Sequence, residues 1–419
     1  MDILEDLKSR GLIYQATDLE ELQKRLKKGK IVLYCGFDPT APSLHIGNLL
    51  HLITLKRFET YGHQPIILIG GGTGLIGDPS GKKEERPLSE VKTVKIWKKK
   101  IENQVKNIFQ ETKSEVIFVD NYSWLNKIKT IDFLREIGKY FTIPYMLAKE
   151  SIRSRLEAGI SFTEFSYMLL QAFDFYNLAE KYHCELQIGG SDQWGNITAG
   201  VELIKRKLNK EVFGLSSPLV TKSDGAKFGK TASGTIWLDK ELTSPYQFYQ
   251  FWINTDDRDV INYLKFFTFL SLPEIEQLAH KVKIQPEKRE AQRILAREAT
   301  KIIHGEKEAQ EAEKISQALF YGQLQSLKLK ELETAFKDVP SFVLKEPSPI
   351  FLLDLLVKAG ISSSKRQARE DIQNKIININ GQIFNQIDQK IAFDICFFGK
   401  YLVIRKGKKN YYLVSWLKH

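Results

Sequence analysis

The sequence predicts an α/β protein: a parallel sheet with helices on both faces, then an α-helical domain and a small α+β domain. Short apolar runs alternate with segments of helical period over the first two hundred residues, which is typical of a parallel sheet. Between residues 244 and 320 only the helical period remains. The expected divisions are a sheet domain over 1–243, a helical domain over 244–323, a linker over 324–349 and a C-terminal domain over 350–419.

Four apolar runs are predicted to be buried strands, and each ends in a loop rich in Gly, Asp or Asn. The runs are residues 31–35, 65–70, 115–121 and 184–190. Ligands of parallel sheets bind at the carboxyl ends of the strands, where the loops converge. We therefore expect the functional site at the ends of these four runs.

The loop after the first run reads GFDPTAPSLHIGN over residues 36–48 and leads into a helical segment. The N-terminus of that helix offers amide donors and a positive dipole end, which favours an anion. Thr40 and His45 add side-chain donors, and Gly47 lacks a Cβ, so a flat ring could lie against the helix start. This pattern favours a nucleoside triphosphate site. A rigid connector with incidental polar residues is the alternative interpretation.

A second loop, TKSDGAKFGKTASGT over residues 221–235, carries Lys227 and Lys230 on either side of a Phe-Gly pair. Its glycines allow the loop to move, and mobile lysines can neutralise the charge that develops on a pyrophosphate leaving group. The alternative is a solvated, lysine-rich surface loop.

These two loops resemble the signature elements of the class I aminoacyl-tRNA synthetases. Residues 39–48 resemble the HIGH element, and residues 227–231 resemble the KMSKS element in the form KFGKT. One departure is Asn48, which stands where the element has its last histidine. An asparagine can still donate a hydrogen bond to a ring or phosphate oxygen, so we expect activity to survive.

The resemblance extends to tyrosyl-tRNA synthetases of the bacterial type. The segments YCGFDPTAPSLHIGN, GGTGLIGDPSGK and GGSDQWGNI match that family in the same order, as do Tyr167, Gln171 and Asp174. It implies a Rossmann-like catalytic domain that activates L-tyrosine with ATP and Mg²⁺ and transfers it to the 3′ end of tRNA(Tyr). It also implies a homodimer.

The tyrosine pocket follows from the same resemblance. Tyr34 and Asp174 are implied at the phenolic hydroxyl of the substrate. Phenylalanine there would leave two buried polar groups unpaired, which is costly. The implied neighbours of the substrate α-ammonium are Asp78, Tyr167 and Gln171, with Gln193 near the ribose and tyrosine. An amphipathic helix with a polar face is the alternative for Tyr167, Gln171 and Asp174.

The ATP site is implied along three segments. The resemblance implies that Thr40 and His45 lie near the γ-phosphate, and Gly47 and Asn48 near the adenosine. The implied ATP-binding residues are Cys35, Gly36, Asp38, Thr40, His45, Gly47, Asn48, Gly190, Asp192 and Lys230. A buried core residue is the alternative for Cys35.

The implied catalytic residues are those that neutralise the phosphates. They are Thr40, His45, Lys227, Lys230, Thr231, Lys82 and Arg86. Lys82 and Arg86 could equally be ordinary surface charges. The substrate carboxylate is itself the nucleophile, so no general base is expected, and catalysis consists of positioning and charge stabilisation. Mg²⁺ would be held mainly by phosphate oxygens and water.

The C-terminal seventy residues carry twelve Lys/Arg against five Asp/Glu, out of a net charge of +11 for the chain. Two amphipathic segments followed by an alternating strand resemble the small RNA-binding fold named after ribosomal protein S-four. Lys365, Arg366 and Arg369 are its implied phosphate contacts. Surface charge without RNA is the alternative.

The composition excludes several classes of protein. No run of eighteen apolar residues indicates a membrane span, and the N-terminus lacks the apolar centre of a signal peptide. Three scattered cysteines indicate neither a disulfide framework nor a metal site, so we expect a cytoplasmic protein without a tightly bound metal.

Two other functions remain open from the sequence. A tryptophanyl-tRNA synthetase shares the fold class, although the KFGKT loop and the pair Tyr34 and Asp174 argue against it. A catalytically inactive relative that only binds structured RNA is the other, and the intact residues argue against that, namely Lys227, Lys230, His45 and Asp174.

Overall fold

A computed structural model describes residues 2–82, 84, 89–110, 112, 114–157, 159–225, 228–231, 234–337, 339–345, 348–407 and 410–417. The chain forms two compact units. The first unit comprises Met1–Thr243 and Phe251–Ile303, and the second comprises Ser244–Gln250 and His304–His419. No helix among the described residues is long and apolar enough to cross a membrane.

The first unit is built on a six-stranded sheet in the order β1-β6-β5-β2-β3-β4. Its strands are β1 (Gln15–Ala16), β2 (Val32–Phe37), β3 (Gln64–Ile69), β4 (Ile117–Asp120), β5 (Cys184–Gly190) and β6 (Phe213–Ser217). All neighbours pair in parallel except the short edge strand β1, which is antiparallel to β6. The predicted α/β fold is confirmed, and all four predicted strands are present. The strand order reverses between β2 and β5, where open sheets of this kind bind their ligands.

Helices cover both faces of this sheet. They are α1 (Ile3–Arg10), α2 (Leu19–Lys27), α3 (Ile46–Thr60), α4 (Val91–Ile108), α5 (Tyr122–Leu125), α6 (Thr130–Glu136), α7 (Ile143–Leu147), α8 (Glu150–Arg153), α9 (Phe162–Lys181) and α10 (Trp194–Leu208). A two-stranded ribbon follows, formed by β7 (Lys230–Thr231) and β8 (Gly234–Thr235).

The helical region then begins with α11 (Pro245–Ile253), α12 (Asp257–Phe267), α13 (Leu272–Ile284) and α14 (Glu290–His304). The sequence predicts a boundary at residue 243, but α12, α13 and most of α14 belong to the first unit. Buried polar contacts account for this. Arg57 on α3 is 3% exposed and donates to the carbonyl oxygens of Lys265 and Thr268 at the end of α12.

The second unit carries a five-stranded sheet in the order β12-β11-β14-β15-β9 and a two-stranded pair, β10 with β13. These strands are β9 (Ser341–Leu344), β10 (Ile350–Phe351), β11 (Ile377–Ile379), β12 (Gln382–Ile383), β13 (Lys390–Ile391), β14 (Tyr401–Lys406) and β15 (Asn410–Trp416). Its helices are α15 (Glu306–Tyr321), α16 (Leu329–Ala335), α17 (Leu352–Lys358) and α18 (Lys365–Gln373).

The region predicted as a linker, residues 324–349, is instead largely structured. It contains α16 and β9, and β9 pairs in parallel with β15. Leu332 and Leu344 are fully buried in the apolar cores of the second unit. Each element is too short to show a period of its own, so the apolar pattern gave no signal that the segment contributes to a core.

Candidate active site

The site lies at the carboxyl edge of the sheet, between the ends of β2 and β5. Gly189 and Gly190 end β5, and a Cβ on Gly190 would lie 2.4 Å from Asp192 Oδ1 and 3.5 Å from His51 Nε2. Only glycine at position 190 therefore leaves room for the Asp192 side chain at the end of β5. Burial is the main cause that raises the pKa of Asp192, and repulsion from Asp78 adds to it.

The floor of the site contains Tyr34 on β2 and Asp174 on α9, both almost fully buried. The Tyr34 hydroxyl has no hydrogen-bond partner among the described residues. Asp174 accepts hydrogen bonds from Asn121 Nδ2 at 2.9 Å and from Trp124 Nε1 at 2.7 Å. Burial raises the pKa of Asp174 to about 8, and burial together with the Asp174 charge raises that of Tyr34 well above its usual value. The unpaired hydroxyl of Tyr34 lies near the carboxylate of Asp174, which already accepts two hydrogen bonds. This pair suits the hydroxyl group of a ligand.

A chain of hydrogen bonds connects this floor to the loop after β2. Asn121 Nδ2 also donates to Thr73 Oγ1 at 2.8 Å, and Thr73 donates to Asp38 Oδ1 at 2.6 Å. The Tyr167 hydroxyl donates to Asp38 Oδ2 at 2.7 Å. A Cβ on Gly70 would overlap Asp38 at 1.8 Å, so this network requires glycine at the end of β3.

A second polar cluster surrounds Asp78. Its carboxylate accepts from Gln193 Nε2 at 2.6 Å and from the Ser80 amide at 3.0 Å. Asn196, 3% exposed, has its Nδ2 within 3.0 Å of Gln171 Oε1 and 3.5 Å of Asp78 Oδ1. The structure thus brings Asp78, Gln171 and Gln193 together as predicted, with Asn196 between them.

The start of α3 is a reciprocal cap. The exposed His45 is the N-cap residue, and its Nδ1 accepts from the Gly47 amide at 3.0 Å. Asn48 Oδ1 accepts from the His45 amide at 3.1 Å. A Cβ on Gly47 would lie 2.8 Å from the His45 ring, so this glycine makes room for His45 itself.

The KFGKT loop packs directly against this cap. The Ile46 amide donates to the Ile236 carbonyl at 2.9 Å, and the Ile236 amide donates to the Gly229 carbonyl at 3.1 Å. A Cβ on Gly229 would come within 2.5 Å of Ile46 Cγ2. The backbone therefore holds the two signature elements in contact.

Phe228 anchors this loop in an aromatic cluster. Its ring stacks on Phe267 at 5.4 Å and meets the edge of Tyr263 at 5.2 Å, both on α12. Phe251 and Trp252 complete the cluster at 5.6 Å and 6.1 Å. The next residue but one, Lys230, is exposed.

The remaining predicted residues fall in different surroundings. Thr40 and Lys82 are exposed, and the charge of Lys82 partly offsets the rise that burial causes in the pKa of Asp192. Cys35 is buried and Gly36 is exposed. Burial raises the pKa of the Cys35 thiol to about 12. Lys227, Arg86 and the Thr231 side chain lie outside the described residues.

The three basic residues predicted to bind RNA lie on α18 in the second unit, and all are exposed. Lys365 pairs with Asp354 at 2.8 Å, and Arg366 pairs with Glu370 at 3.2 Å. These pairs involve exposed side chains and are worth little, so an anionic partner could displace them.

Sequence reasoning missed several residues of the site. Asn121, Trp124 and Thr73 support Asp174, and Asn196 supports Asp78. His51 was also missed. Its Nε2 is buried without a hydrogen bond among the described residues, and burial lowers its pKa to about 4. The position of His51 four residues after Gly47, on one helix face, was the available signal.

Comparison with known proteins agrees with this geometry. Residues 26–321 match the family model for tRNA synthetases class I (W and Y), and residues 331–414 match the tyrosine–tRNA ligase SYY-like C-terminal domain. The tyrosine–tRNA ligase of Bacillus caldotenax is 56% identical over 99% of this chain and 100% of its own. The chain belongs to the tyrosine–tRNA ligase family.

Other tyrosine–tRNA ligases support the assignment. Tyrosine–tRNA ligase 1 of Bacillus subtilis is 54% identical over 99% of both chains. A C-terminally truncated mitochondrial tyrosyl-tRNA synthetase of Aspergillus nidulans superposes with a TM-score of 0.69 at 33% identity, covering 76% of this chain and 94% of that one. The family model spans tryptophan and tyrosine enzymes, so these full-length relatives decide for the tyrosine branch over the tryptophan alternative.

Proposed function

We propose that Tyr34 and Asp174 recognise the phenolic hydroxyl of L-tyrosine in a tyrosine–tRNA ligase reaction. The observation that carries this proposal is the buried Tyr34 hydroxyl, which has no hydrogen-bond partner among the described residues. A tyrosine hydroxyl would accept from Tyr34 and donate to Asp174. Bound phenylalanine would leave the Tyr34 hydroxyl unpaired. It would also remove water from Asp174 without supplying a hydrogen bond in its place, so binding of phenylalanine is disfavoured.

The substrate α-ammonium would lie between Asp78, Tyr167 and Gln171, with Gln193 beside it. Tyr167 donates its proton to Asp38, so its hydroxyl oxygen is free to accept from a cation. The Asp78 carboxylate supplies the opposite charge. Asn196 supports this role because its amide fixes the orientation of Gln171.

ATP would occupy the edge between the two signature elements. The proposed contacts along its length are Cys35, Gly36, Asp38, Thr40, His45, Gly47, Asn48, Gly190, Asp192 and Lys230. Thr40 and His45 face the phosphates at the positive end of α3. Asp192 and Gly190 are suited to the ribose, because a carboxylate accepts from hydroxyl groups and glycine allows close approach.

In the reaction the tyrosine carboxylate attacks the α-phosphate of ATP, and the bond to pyrophosphate breaks in line. Negative charge then develops on the pyrophosphate leaving group and must be neutralised by positively charged side chains. We assign this to Lys82, Arg86, Lys227, Lys230 and Thr231, with Thr40 and His45 from the other side. Mg²⁺ would be held mainly by the phosphate oxygens of ATP and by water, and would supply further positive charge there. The tyrosyl group then passes from the adenylate to the 3′ end of tRNA.

The chain is proposed to act as a homodimer in the cytoplasm. A group of exposed apolar side chains on α6 and α7, in the turn after α8 and at the start of α9 supports the homodimer. It comprises Ile131, Leu134, Ile143, Leu147, Leu156 and Phe162, which is 77% exposed. Apolar surface of this kind marks a contact with another protein surface.

We propose that the catalytic domain, 1–243, performs the chemistry. The helices of 244–323 would lie on the anticodon side, and the domain from residue 350 would bind RNA. Lys365, Arg366 and Arg369 would then contact tRNA phosphates. Their location on one exposed helix of the second unit supports this role.

The test is tyrosine-dependent exchange of labelled pyrophosphate into ATP. The proposal predicts exchange with tyrosine and at least a hundredfold less with phenylalanine or tryptophan. Exchange driven equally by phenylalanine would contradict the pocket assignment. Absence of any exchange would instead indicate a protein that binds RNA without activating an amino acid.

A further inference from the structure

Helix α4 begins with a lysine face that the reaction above does not use. Residues 91–100 read VKTVKIWKKK and contain five lysines and no Asp or Glu. Lys92, Lys95, Lys99 and Lys100 are exposed, and Ile96 between them is 59% exposed. We call these four lysines the α4 lysine face.

The α4 lysine face lacks the carboxylates that accompany lysines elsewhere in this protein. Lys98 pairs with Asp120 at 2.8 Å, but none of the four has an ion pair with a described residue. On α10, by contrast, Arg206 pairs with Glu202 at 2.7 Å.

These charges also oppose the stability of the helix that carries them. The first turn of α4 has no acidic residue, and Glu90 at the N-cap position makes no side-chain cap. Lysines near a helix N-terminus face the positive end of the dipole, and like charges three or four residues apart repel. The helix is held by its buried face, which includes Val94 and Ile101. The lysines therefore have no stabilising role within the helix.

The lysine face is on the active-site side of the sheet. Gln104 of α4 hydrogen-bonds to Ser43 and Leu44, immediately before α3 begins, and Lys98 reaches Asp120 at the end of β4. The helix from residue 91 to 104 rises about 20 Å. Its first turns therefore extend beyond the carboxyl edge, past the level at which α3 begins.

We propose that the α4 lysine face binds the phosphate backbone of the tRNA substrate near the active site. RNA is the occupant that the charge favours, because phosphates are the anions that a tRNA ligase must bring to this edge. Four lysines on one helix face can neutralise successive phosphates without reading bases, so they raise affinity and not sequence selectivity. This inference rests on tRNA being the substrate.

The test compares two triple variants of equal charge. K92Q/K95Q/K99Q removes three charges from the α4 lysine face. The control K27Q/K28Q/K30Q removes three exposed charges from the opposite edge of the sheet, where α2 leads into β2. We expect the first to raise the KM for tRNA in aminoacylation at least tenfold. The slope of log Kd for tRNA against log salt should fall by about 0.9 for each phosphate that the variant no longer neutralises.

Tyrosine-dependent pyrophosphate exchange needs no tRNA, so it should stay within twofold of the parent protein in both triple variants. A tRNA KM and a salt slope that match those of the control would overturn the inference. Equal losses of exchange and aminoacylation would also overturn it, since the lysines would then act on ATP. The single variant Lys95→Glu supplies the same comparison if the triple variant folds poorly, with an expected rise in tRNA KM of about threefold.

Discussion

Gly229 and Ile46 touch: a Cβ on Gly229 would lie 2.5 Å from Ile46 Cγ2, and Gly229 has a φ of +80°. Ile46 is the first residue of α3, directly after His45, and Gly229 is the middle residue of KFGKT. The relation between the two signature elements thus depends on close packing of the Gly229 backbone against the Ile46 side chain. A side chain at Gly229 would separate them before any substrate is bound.

The first prediction is that Gly229→Ala slows adenylate formation at least tenfold. The methyl group must displace Ile46, and with it the start of α3. Gly225→Ala is the matched control, because Gly225 has a φ of +79° and no atom of the described residues lies within 4 Å of its Cβ position. Both substitutions carry the left-handed backbone cost of about 1–2 kcal/mol. Equal rates in single-turnover adenylate formation for the two variants would contradict the importance of the contact.

Much of this arrangement could be predicted from the sequence, because motif residues follow strands. The ends of β2, β3, β4 and β5 were predicted within about two residues, and the loops after them contain the site. Tyr167, Gln171 and Asp174 share a helix face at spacings that the sequence displays directly.

The supporting groups could not be predicted, since their partners are distant in sequence. Asn121 was assigned to the end of a strand, yet its amide donates to Asp174, fifty-three residues later. The contact of Phe228 with Phe267 likewise depends on how α12 packs. The sequence of a helical segment does not indicate which loop its aromatic side chains will contact in the folded protein.

The second prediction concerns Tyr34→Phe, which should have opposite effects on stability and on selectivity. The buried Tyr34 hydroxyl has no hydrogen bond among the described residues, so its removal should stabilise the ligand-free protein by about 1 kcal/mol. The same change should reduce discrimination between tyrosine and phenylalanine about tenfold, because the substrate hydroxyl then has one hydrogen-bond donor fewer. Thermal unfolding and exchange kinetics measure the two effects. A destabilised variant with unchanged selectivity would contradict the assignment.

The third prediction follows from Asp174, whose pKa burial raises to about 8. A substrate hydroxyl donates a stronger hydrogen bond to Asp174 when the carboxyl is ionised. Tyrosine affinity should therefore rise with the ionised fraction, by up to about eightfold between pH 6.5 and 7.5, and Asp174→Asn should bind weakly with no such dependence. Isothermal titration across this range provides the measurement. An affinity of the parent protein that does not change with pH would be evidence against the raised pKa.

Stability should respond to Asp174 in the opposite direction. The unfolded chain ionises this carboxyl near its ordinary pKa of 3.8, whereas the folded protein does so near 8. The contribution of Asp174 to the free energy of unfolding is therefore greatest at low pH and declines as pH rises through that window. The Tm of Asp174→Asn relative to the parent protein should increase between pH 5 and 8.

The fourth prediction concerns His51, whose pKa burial lowers to about 4. The unfolded chain protonates this imidazole below pH 6.5, and the folded protein does not until about pH 4. The contribution of His51 to the free energy of unfolding is thus fully present above pH 6.5. It decreases by ~1 kcal/mol for each pH unit as the pH falls below that value. His51→Asn should narrow the drop in Tm between pH 7 and 5, and an unchanged drop would contradict the buried, neutral imidazole.

The last prediction tests Phe228 as the anchor of the catalytic loop. Phe228→Ala leaves a cavity among Phe251, Trp252, Tyr263 and Phe267, at a cost of about 3–5 kcal/mol, whereas Phe228→Leu refills most of it. In the alanine variant the loop that carries Lys230 is no longer held in one position before ATP binds. The alanine variant should slow adenylate formation at least tenfold while tyrosine affinity changes less than twofold, because the floor of the pocket is elsewhere. Phe320→Ala, at a side chain 71% exposed, is the control and should match the parent protein in exchange. If tyrosine affinity fell in parallel with the rate, Phe228 would support the whole domain and not the loop.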